Sequence, residues 1–263
     1  LQGEKKPLRR NKGRSLGNMA SLFQPGSLRR TRLLDIDQIV ANYNLTRGGE
    51  EILAGRKAFS LRMVPRQNDR PSYLLHVDQK NFFPLGFAVL GKSGNQVYEK
   101  RFDSIRFFSG SYEGTQKPRR KPRFPWGQIS QERISFAENP SFSFPVWLPA
   151  ALPEGFQQRE SVRLNIGPAP MKVEVVYSLY SDGIALFSLV QFSGENPLWK
   201  IMKSYFPGTS SGKGIMTQKI SMGIGSVFIL EMDGTVIILA GNIWSDTLQK
   251  TAESLKPYMG DPS

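Results

Sequence analysis

Residues 42–78, NYNLTRGGEEILAGRKAFSLRMVPRQNDRPSYLLHVD, carry the pattern that decides the fold. Phe59, Leu61 and Met63 alternate with Ala58, Ser60 and Arg62, and after the turn at residues 65–71 Tyr73, Leu75 and Val77 alternate again. Side chains on a strand point to opposite faces with period two, so successive strands of this kind offer one apolar surface. Tyr43 and Leu45 open the run, and Gly48-Gly49 is expected to break it. Nothing here has the pattern of a catalyst, so the question becomes what the surface holds.

Outward from this stretch the pattern continues. Before it, residues 33–43 place Leu33, Ile36, Ile39 and Val40 at helical spacing, with Asp35 and Asp37 suited to a first turn. After it, Leu85, Phe87 and Val89 alternate beyond the turn at residues 80–84, and residues 97–108 read as a further extended run. Neighbouring strands with short turns predict an antiparallel meander. Periodicity then stops at GTQKPRRKPRFP, where prolines fix φ and remove donors. A linker is therefore expected over 114–143. A second unit, 144–258, is predicted with strands at 158–165, 172–181, 185–192, 225–232 and 235–241. Asp182-Gly183 and Asp233-Gly234 mark hairpin turns, and residues 245–256 form a terminal amphipathic helix capped by Ser245. The fold class is α+β: 1–32 a basic, poorly ordered segment, 33–113 a sheet domain, then the linker and a small α+β domain.

The net charge of +13 resides in two places. Residues 1–32 carry nine Lys/Arg against Glu4, and KPRRKPR at 117–123 adds five more; the other 21 basic and 21 acidic residues cancel. A neutral body with two basic segments suits polyanions such as nucleic acid, lipid headgroups, lipopolysaccharide phosphates or an acidic protein. The bland alternative is a solvated tail and linker. No cysteine is present, which excludes disulfides and thiolate chemistry and fits an oxidising compartment weakly. The chain opens on Leu1, as a processed or incomplete product would.

Chemical motifs are weak. GTSSGKG at 208–214 has three residues between its first two glycines where a P-loop needs four, and Gly214 stands where a hydroxyl residue belongs, so a glycine-rich loop is the better reading. His76 is the single histidine and sits on the strand face opposite Tyr73, Leu75 and Val77, with no elbow motif for a triad and no second metal ligand of suitable spacing. Glu50-Glu51 reads as a solvated turn. Phe107, Phe108, Tyr112, Phe124 and Trp126 beside the basic segment would suit single-stranded nucleic acid, but pinning the linker to the first domain is preferred. No enzyme, cofactor or metal site is expected.

Residues 42–102 resemble the N-terminal domain of the RseB/MucB family of periplasmic sigma-E regulators, through NYNLTRGGEEILAGRKAFSLRMVPR, YLLHVD and LGFAVLGKSGNQVYEKRF. In the second unit WLPAALPEGF, YSDGIALFSLVQF, TVIILAGNI and SDTLQKTAESLK are similar to the same family in the same order, so the likeness covers about 33–256. The chain departs at His76, where an aromatic residue is expected, at Asn81-Phe82, which replaces a glycine turn, and over 197–222. Strands and a helix that open the family's first domain are lacking before residue 30.

The resemblance implies a partial LolA-like antiparallel half-barrel, followed by the small domain with its antiparallel sheet and C-terminal helix. It implies a non-enzymatic periplasmic regulator that holds the periplasmic domain of a transmembrane anti-sigma factor and senses lipid, lipoprotein or lipopolysaccharide. Phe59, Leu61, Met63, Tyr73, Leu75, Leu85, Phe87 and Val89 are the candidate ligand face, with packing on the 33–43 helix the equal alternative. Arg119, Arg120, Lys121 and Arg123 are candidates for partner or phosphate contact. Peripheral membrane association and a homo-oligomer are compatible with this reading, and no nucleic-acid partner is expected. The rival functions are a LolA-like lipid or lipoprotein carrier, which a second domain disfavours, and a polyanion or nucleic-acid binder, which rests on charge alone.

Overall fold

The computed structural model describes residues 35–108, 129–167, 172–196, 199–200, 209–210, 216–222 and 225–259. Helix α1 (Ile36–Asn42) leads directly into a five-stranded antiparallel sheet, β1 (Tyr43–Leu53), β2 (Arg56–Pro65), β3 (Ser72–Asp78), β4 (Pro84–Leu90) and β5 (Gln96–Arg101), in sequential order. Asp35 caps α1 by accepting from the Gln38 amide at 3.2 Å. The meander is the one expected, with one correction in its first strand. Gly48-Gly49 does not break β1; the pair forms a bulge, with the register shifting between Arg47↔Leu61 and Glu50↔Phe59. Glu50 and Glu51 consequently lie in the strand rather than in a solvated turn, and Glu51 meets His76 Nδ1 of β3 on the same face of the sheet.

The second sheet has eight strands, in the order β11-β12-β13-β14-β10-β9-β8-β6. Its members are β6 (Ile129–Arg133), β8 (Gln157–Ile166), β9 (Val173–Ser181), β10 (Leu186–Ser193), β11 (Thr209–Ser210), β12 (Met216–Met222), β13 (Gly225–Met232) and β14 (Thr235–Gly241). Strand β6 falls inside the stretch expected to be linker: ISQER pairs antiparallel with β8, Gln131 opposite Leu164. Its five residues are all exposed, so no apolar alternation marks it. β9 and β10 are buried almost continuously because both faces are covered. One face joins the main core through Tyr180, Phe187 and Leu189 and, farther along, sets Val176 against Phe144 and Val146; the other carries the buried Val175, Tyr177, Leu179 and Val190.

Helix α2 (Ser245–Glu253) lies on this sheet through Leu248, Thr251 and Ala252. Two details of the expected helix are corrected. Trp244 occupies the N-cap position and makes no side-chain cap bond, so Ser245 begins the helix instead of capping it. The helix also stops at Glu253. Lys256 precedes Pro257, which disfavours helical backbone, and Leu255–Pro257 forms β15, paired with β7 (Trp147–Pro149). Strand β7 is pinned to the core by Gln191, whose side chain accepts from Trp147 N at 2.7 Å and donates to Trp147 O at 3.0 Å.

Candidate functional site: the apolar face and its polar clasp

Register places the candidate ligand residues in rows across one face of the first sheet. Met63 lies opposite Tyr73, and Tyr73 opposite Val89; Leu61 faces Leu75, which faces Phe87; Phe59 faces Val77. The rows differ in fate. Met63, Tyr73 and Val89 are buried in one continuous core with Tyr43, Trp147, Phe156, Tyr180 and Phe187 from the second unit. Leu85 is also fully buried. Leu61, Leu75 and Phe87 are half-buried at the margin of that core, and Phe59 is half-buried with the Arg47 guanidinium 4.8 Å from its ring centre. An aromatic run lies in the first sheet, Tyr43 to Tyr73 at 6.0 Å and Tyr73 stacked on Phe87 at 5.5 Å, and a separate pair in the same core, Phe156 and Phe187, lies 5.5 Å apart in the second unit.

The alternative that α1 covers this face does not hold. Only Ile39 of α1 reaches the core, while Ile36 and Val40 are exposed. The helix instead packs on the second unit. A Cβ on Gly183 (φ +109°) would come within 3.0 Å of Asp35 O and Ile39 N, and one on Gly155 (φ +79°) within 2.1 Å of Asn42 Oδ1. Arg159 donates to Asp35 at 2.8 Å and also to Gln38, and Asn42 Nδ2 donates to Asp182 O at 2.9 Å. Hydrogen bonding from Arg159 and from the Gln38 amide lowers the Asp35 carboxyl below its ordinary range.

Beneath the aromatic run lies a buried polar clasp. Arg70, in the β2–β3 loop, pairs with Asp182 from the β9–β10 turn and with Asp69 at 2.5 Å, and also donates to Glu154 O. Its guanidinium lies 4.6 Å from the centre of the Phe156 ring. The Tyr43 hydroxyl donates to Asp182 Oδ2 at 2.7 Å. Burial first, then the nearby Tyr73 and Asp182, push the Tyr43 phenol far above its ordinary range. For Arg70 burial opposes the charge, but hydrogen bonds to Asp69 and Asp182 outweigh it and hold the guanidinium charged. Asp69 O also accepts from Thr247 Oγ1 at 2.9 Å, which ties α2 into the same network.

Chemically this is a recognition surface: aromatic and aliphatic groups with a few fixed polar atoms, half of it closed by the second unit. Sequence reasoning missed Arg70, Asp182 and Tyr43 as a group because 112 and 139 positions separate the partners. Asp182 gave a turn signal, and only that. Arg119, Arg120, Lys121 and Arg123 lie outside the described residues.

Residues 16–120 match the model of the MucB/RseB N-terminal domain. The Sigma-E factor regulatory protein RseB of Haemophilus influenzae is 25% identical over 202 residues, 70% of this chain and 60% of that protein. The Sigma factor AlgU regulatory protein MucB of Pseudomonas aeruginosa is 24% identical over 262 residues, 98% of this chain and 75% of its own length. The crystal structure of MucB in complex with MucA(peri) superposes with a TM-score of 0.58 at 21% identity, covering 85% of this chain and 70% of that one. The chain is thus similar to RseB/MucB proteins along most of its length. The likeness extends over most of both sheets, so the α+β architecture of antiparallel sheets with a C-terminal helix is the fold of RseB/MucB proteins. No helix among the described residues is long and apolar enough to cross a membrane.

Proposed function

We propose that this chain is a periplasmic regulator that binds the periplasmic region of a transmembrane anti-sigma factor, and that an acyl-bearing ligand, lipid, lipoprotein or lipopolysaccharide, modulates that complex. Support for the partner comes from the likeness to the family and from the MucB structure solved with MucA(peri). The observation that carries the ligand reading is the division of the apolar face. Met63, Tyr73 and Val89 are sealed by Trp147, Phe156 and Tyr180, whereas Phe59, Leu61, Leu75 and Phe87 stay half-buried. An acyl chain would add to that open margin and lengthen along the face only by displacing the second unit. A ligand with different affinity for the closed and displaced arrangements would shift the partner equilibrium between them. The eight residues Phe59, Leu61, Met63, Tyr73, Leu75, Leu85, Phe87 and Val89 therefore remain the ligand face in this proposal, in two parts. A carrier without a partner is disfavoured because the second unit occupies half of the face a cargo would need.

The test is calorimetric titration of the chain with a synthetic peptide of the periplasmic segment of a MucA-like anti-sigma factor from the same organism, with and without a short-chain lysophospholipid below its micellar concentration. Saturable peptide binding that weakens with the lipid is expected. No heat and no complex with the peptide would remove the anti-sigma reading. Binding indifferent to lipid would remove the sensing part alone.

A further inference from the structure

The first sheet has a far end, away from the clasp, formed by the end of β1, the start of β2, the β3–β4 turn and the residues after β5. Five apolar side chains stand exposed there: Ile52 at 68%, Phe82 at 72%, Phe102 at 46%, Phe107 at 43% and Phe108 at 84%. They are built onto a platform. Phe83 packs against Phe102 at 5.8 Å and edge-on against Phe107 at 5.4 Å, and the Arg56 guanidinium lies 4.8 Å from the Phe107 ring centre. The turn that presents Phe82 is fixed by Asp78, which accepts from the amides of Lys80 at 2.8 Å and Asn81 at 3.2 Å; Phe82 N bonds Asp78 O at 3.0 Å. Phe82 is held at φ +58°, a conformation that glycine takes freely and a phenylalanine does not. A bulky, exposed ring is thus kept at the tip against local preference.

Basic groups outnumber acidic ones around these rings. Arg56, Lys57, Lys80, Arg101 and Arg106 lie at this end with Asp78 and Asp103, and with Glu51 and Glu99 at its margin, where Glu51 meets His76 and Glu99 pairs with Arg101. Asp78 is already paired with Arg56. Protruding aromatic rings with a rim of Lys and Arg match a bilayer interface, where rings seat at headgroup depth and cations meet lipid phosphates. A protein-binding patch would tend instead to exclude Lys from its centre. We propose that this tip is an interfacial anchor: Phe82 and Phe108 insert into an anionic lipid surface while Lys57, Lys80 and Arg106 contact its phosphates. The anchor borders the ligand face, since Leu85 O accepts from Phe102 N at 2.9 Å, but its inserting rings are not members of that face and it does not depend on the proposed partner.

The test uses the whole chain and flotation with vesicles of phosphatidylethanolamine and phosphatidylglycerol, against phosphatidylcholine alone. Binding through the basic segments is purely electrostatic and is screened in ~1 M salt, where the Debye length is about 3 Å. The parent chain is expected to keep a salt-resistant bound fraction on anionic vesicles. The double variant F82G/F108S should lose it, with affinity at low salt falling about tenfold or more while the circular dichroism spectrum is unchanged. In F82W, added indole emission, taken as the difference from the parent, should shift to the blue on vesicle addition and resist iodide quenching. Equal salt-resistant binding by parent and double variant would overturn the proposal, as would an F82W indole that stays open to iodide. Loss of anti-sigma peptide binding in F82G/F108S with vesicle binding intact would overturn it too, and would make the tip a protein interface.

Discussion

Both ends of the first sheet use the same three groups, an arginine held between a carboxylate and a phenyl ring. At the clasp Arg70 lies between Asp182 and Phe156; at the tip Arg56 lies between Asp78 and Phe107. Burial is what separates them. The Arg70 side chain is 1% exposed and its partner Asp182 0%, whereas Arg56 is 27% exposed although its partner Asp78 is buried at 1%. At the tip the arginine itself reaches water and only the carboxylate is buried, whereas at the clasp neither partner reaches water. The same constellation is therefore a structural commitment at one end and a local brace at the other.

The sharpest way to break this comparison is Arg70→Met against Arg56→Met. Arg70→Met strands Asp182 and Asp69 without a counter-charge and is expected to cost about 3–5 kcal/mol, read as a lower urea midpoint. Arg56→Met should move that midpoint less, because Arg56 is partly solvated already and its loss leaves one carboxylate without a counter-charge rather than two. Equal losses would show that burial does not set the difference.

A smaller effect isolates one bond of the clasp. Tyr43→Phe removes the hydroxyl that donates to Asp182 and should cost about 2 kcal/mol, the scale of a hydrogen bond to a charged group. It should also change the alkaline limb. Burial raises Tyr180 to about 12 and lifts Tyr43 above its ordinary 10.0. Folded values above unfolded ones mean that stability is fully present below pH 10 and is lost as pH rises beyond it. The parent should therefore unfold more easily with each step above pH 10, and Tyr43→Phe should show a shallower decline. An identical slope in both would detach Tyr43 from that limb.

At the tip the corresponding titration is acidic. Hydrogen bonding from Arg56, and then from the Lys80 and Asn81 amides, holds the Asp78 carboxyl at about 2, below its ordinary 3.8. A lowered folded value means a contribution that is present above pH 3.8 and is lost as pH falls from there toward 2. Urea midpoints measured across that window should fall less steeply for Asp78→Asn than for the parent. A parallel decline would place the acid sensitivity elsewhere, Asp35 beside Arg159 being the next carboxylate to test.

Much of the sheet was readable in the sequence because its signal is local. Alternation in AFSLRM and SYLLHV gave the strands, their pairing and the shared face of Leu61, Leu75 and Phe87. Asp233-Gly234 gave its turn, with both residues at positive φ as a two-residue hairpin requires. Where the reading failed, the decisive partner was distant or the cue was polar. ISQER has no apolar alternation and becomes a strand only because β8 offers a free edge. Gly48-Gly49 looked like a stop, but a bulge absorbs the extra residue and lets β1 continue. The apolar face was read as seeking a helix or a ligand. Its closure by Trp147, Phe156 and Tyr180 depends on contacts across the chain that periodicity does not encode.

The smallest expected effect has the opposite sign and returns to the tip. Phe82 at φ +58° bears the strain of a left-handed backbone, roughly 1–2 kcal/mol for a residue with a Cβ. Glycine removes that strain but gives the unfolded chain more freedom, which costs about 0.5–1 kcal/mol. The exposed ring contributes little burial to set against this, at 72% exposure. Phe82→Gly should therefore raise stability by up to about 1 kcal/mol, seen as a higher urea midpoint with an unchanged slope. A gain in stability coupled to a loss of vesicle binding would mark Phe82 as a residue kept for what it touches outside the fold. A fall in stability would instead mean that the ring braces the turn, and the two ends of the sheet would then differ less than their burial suggests.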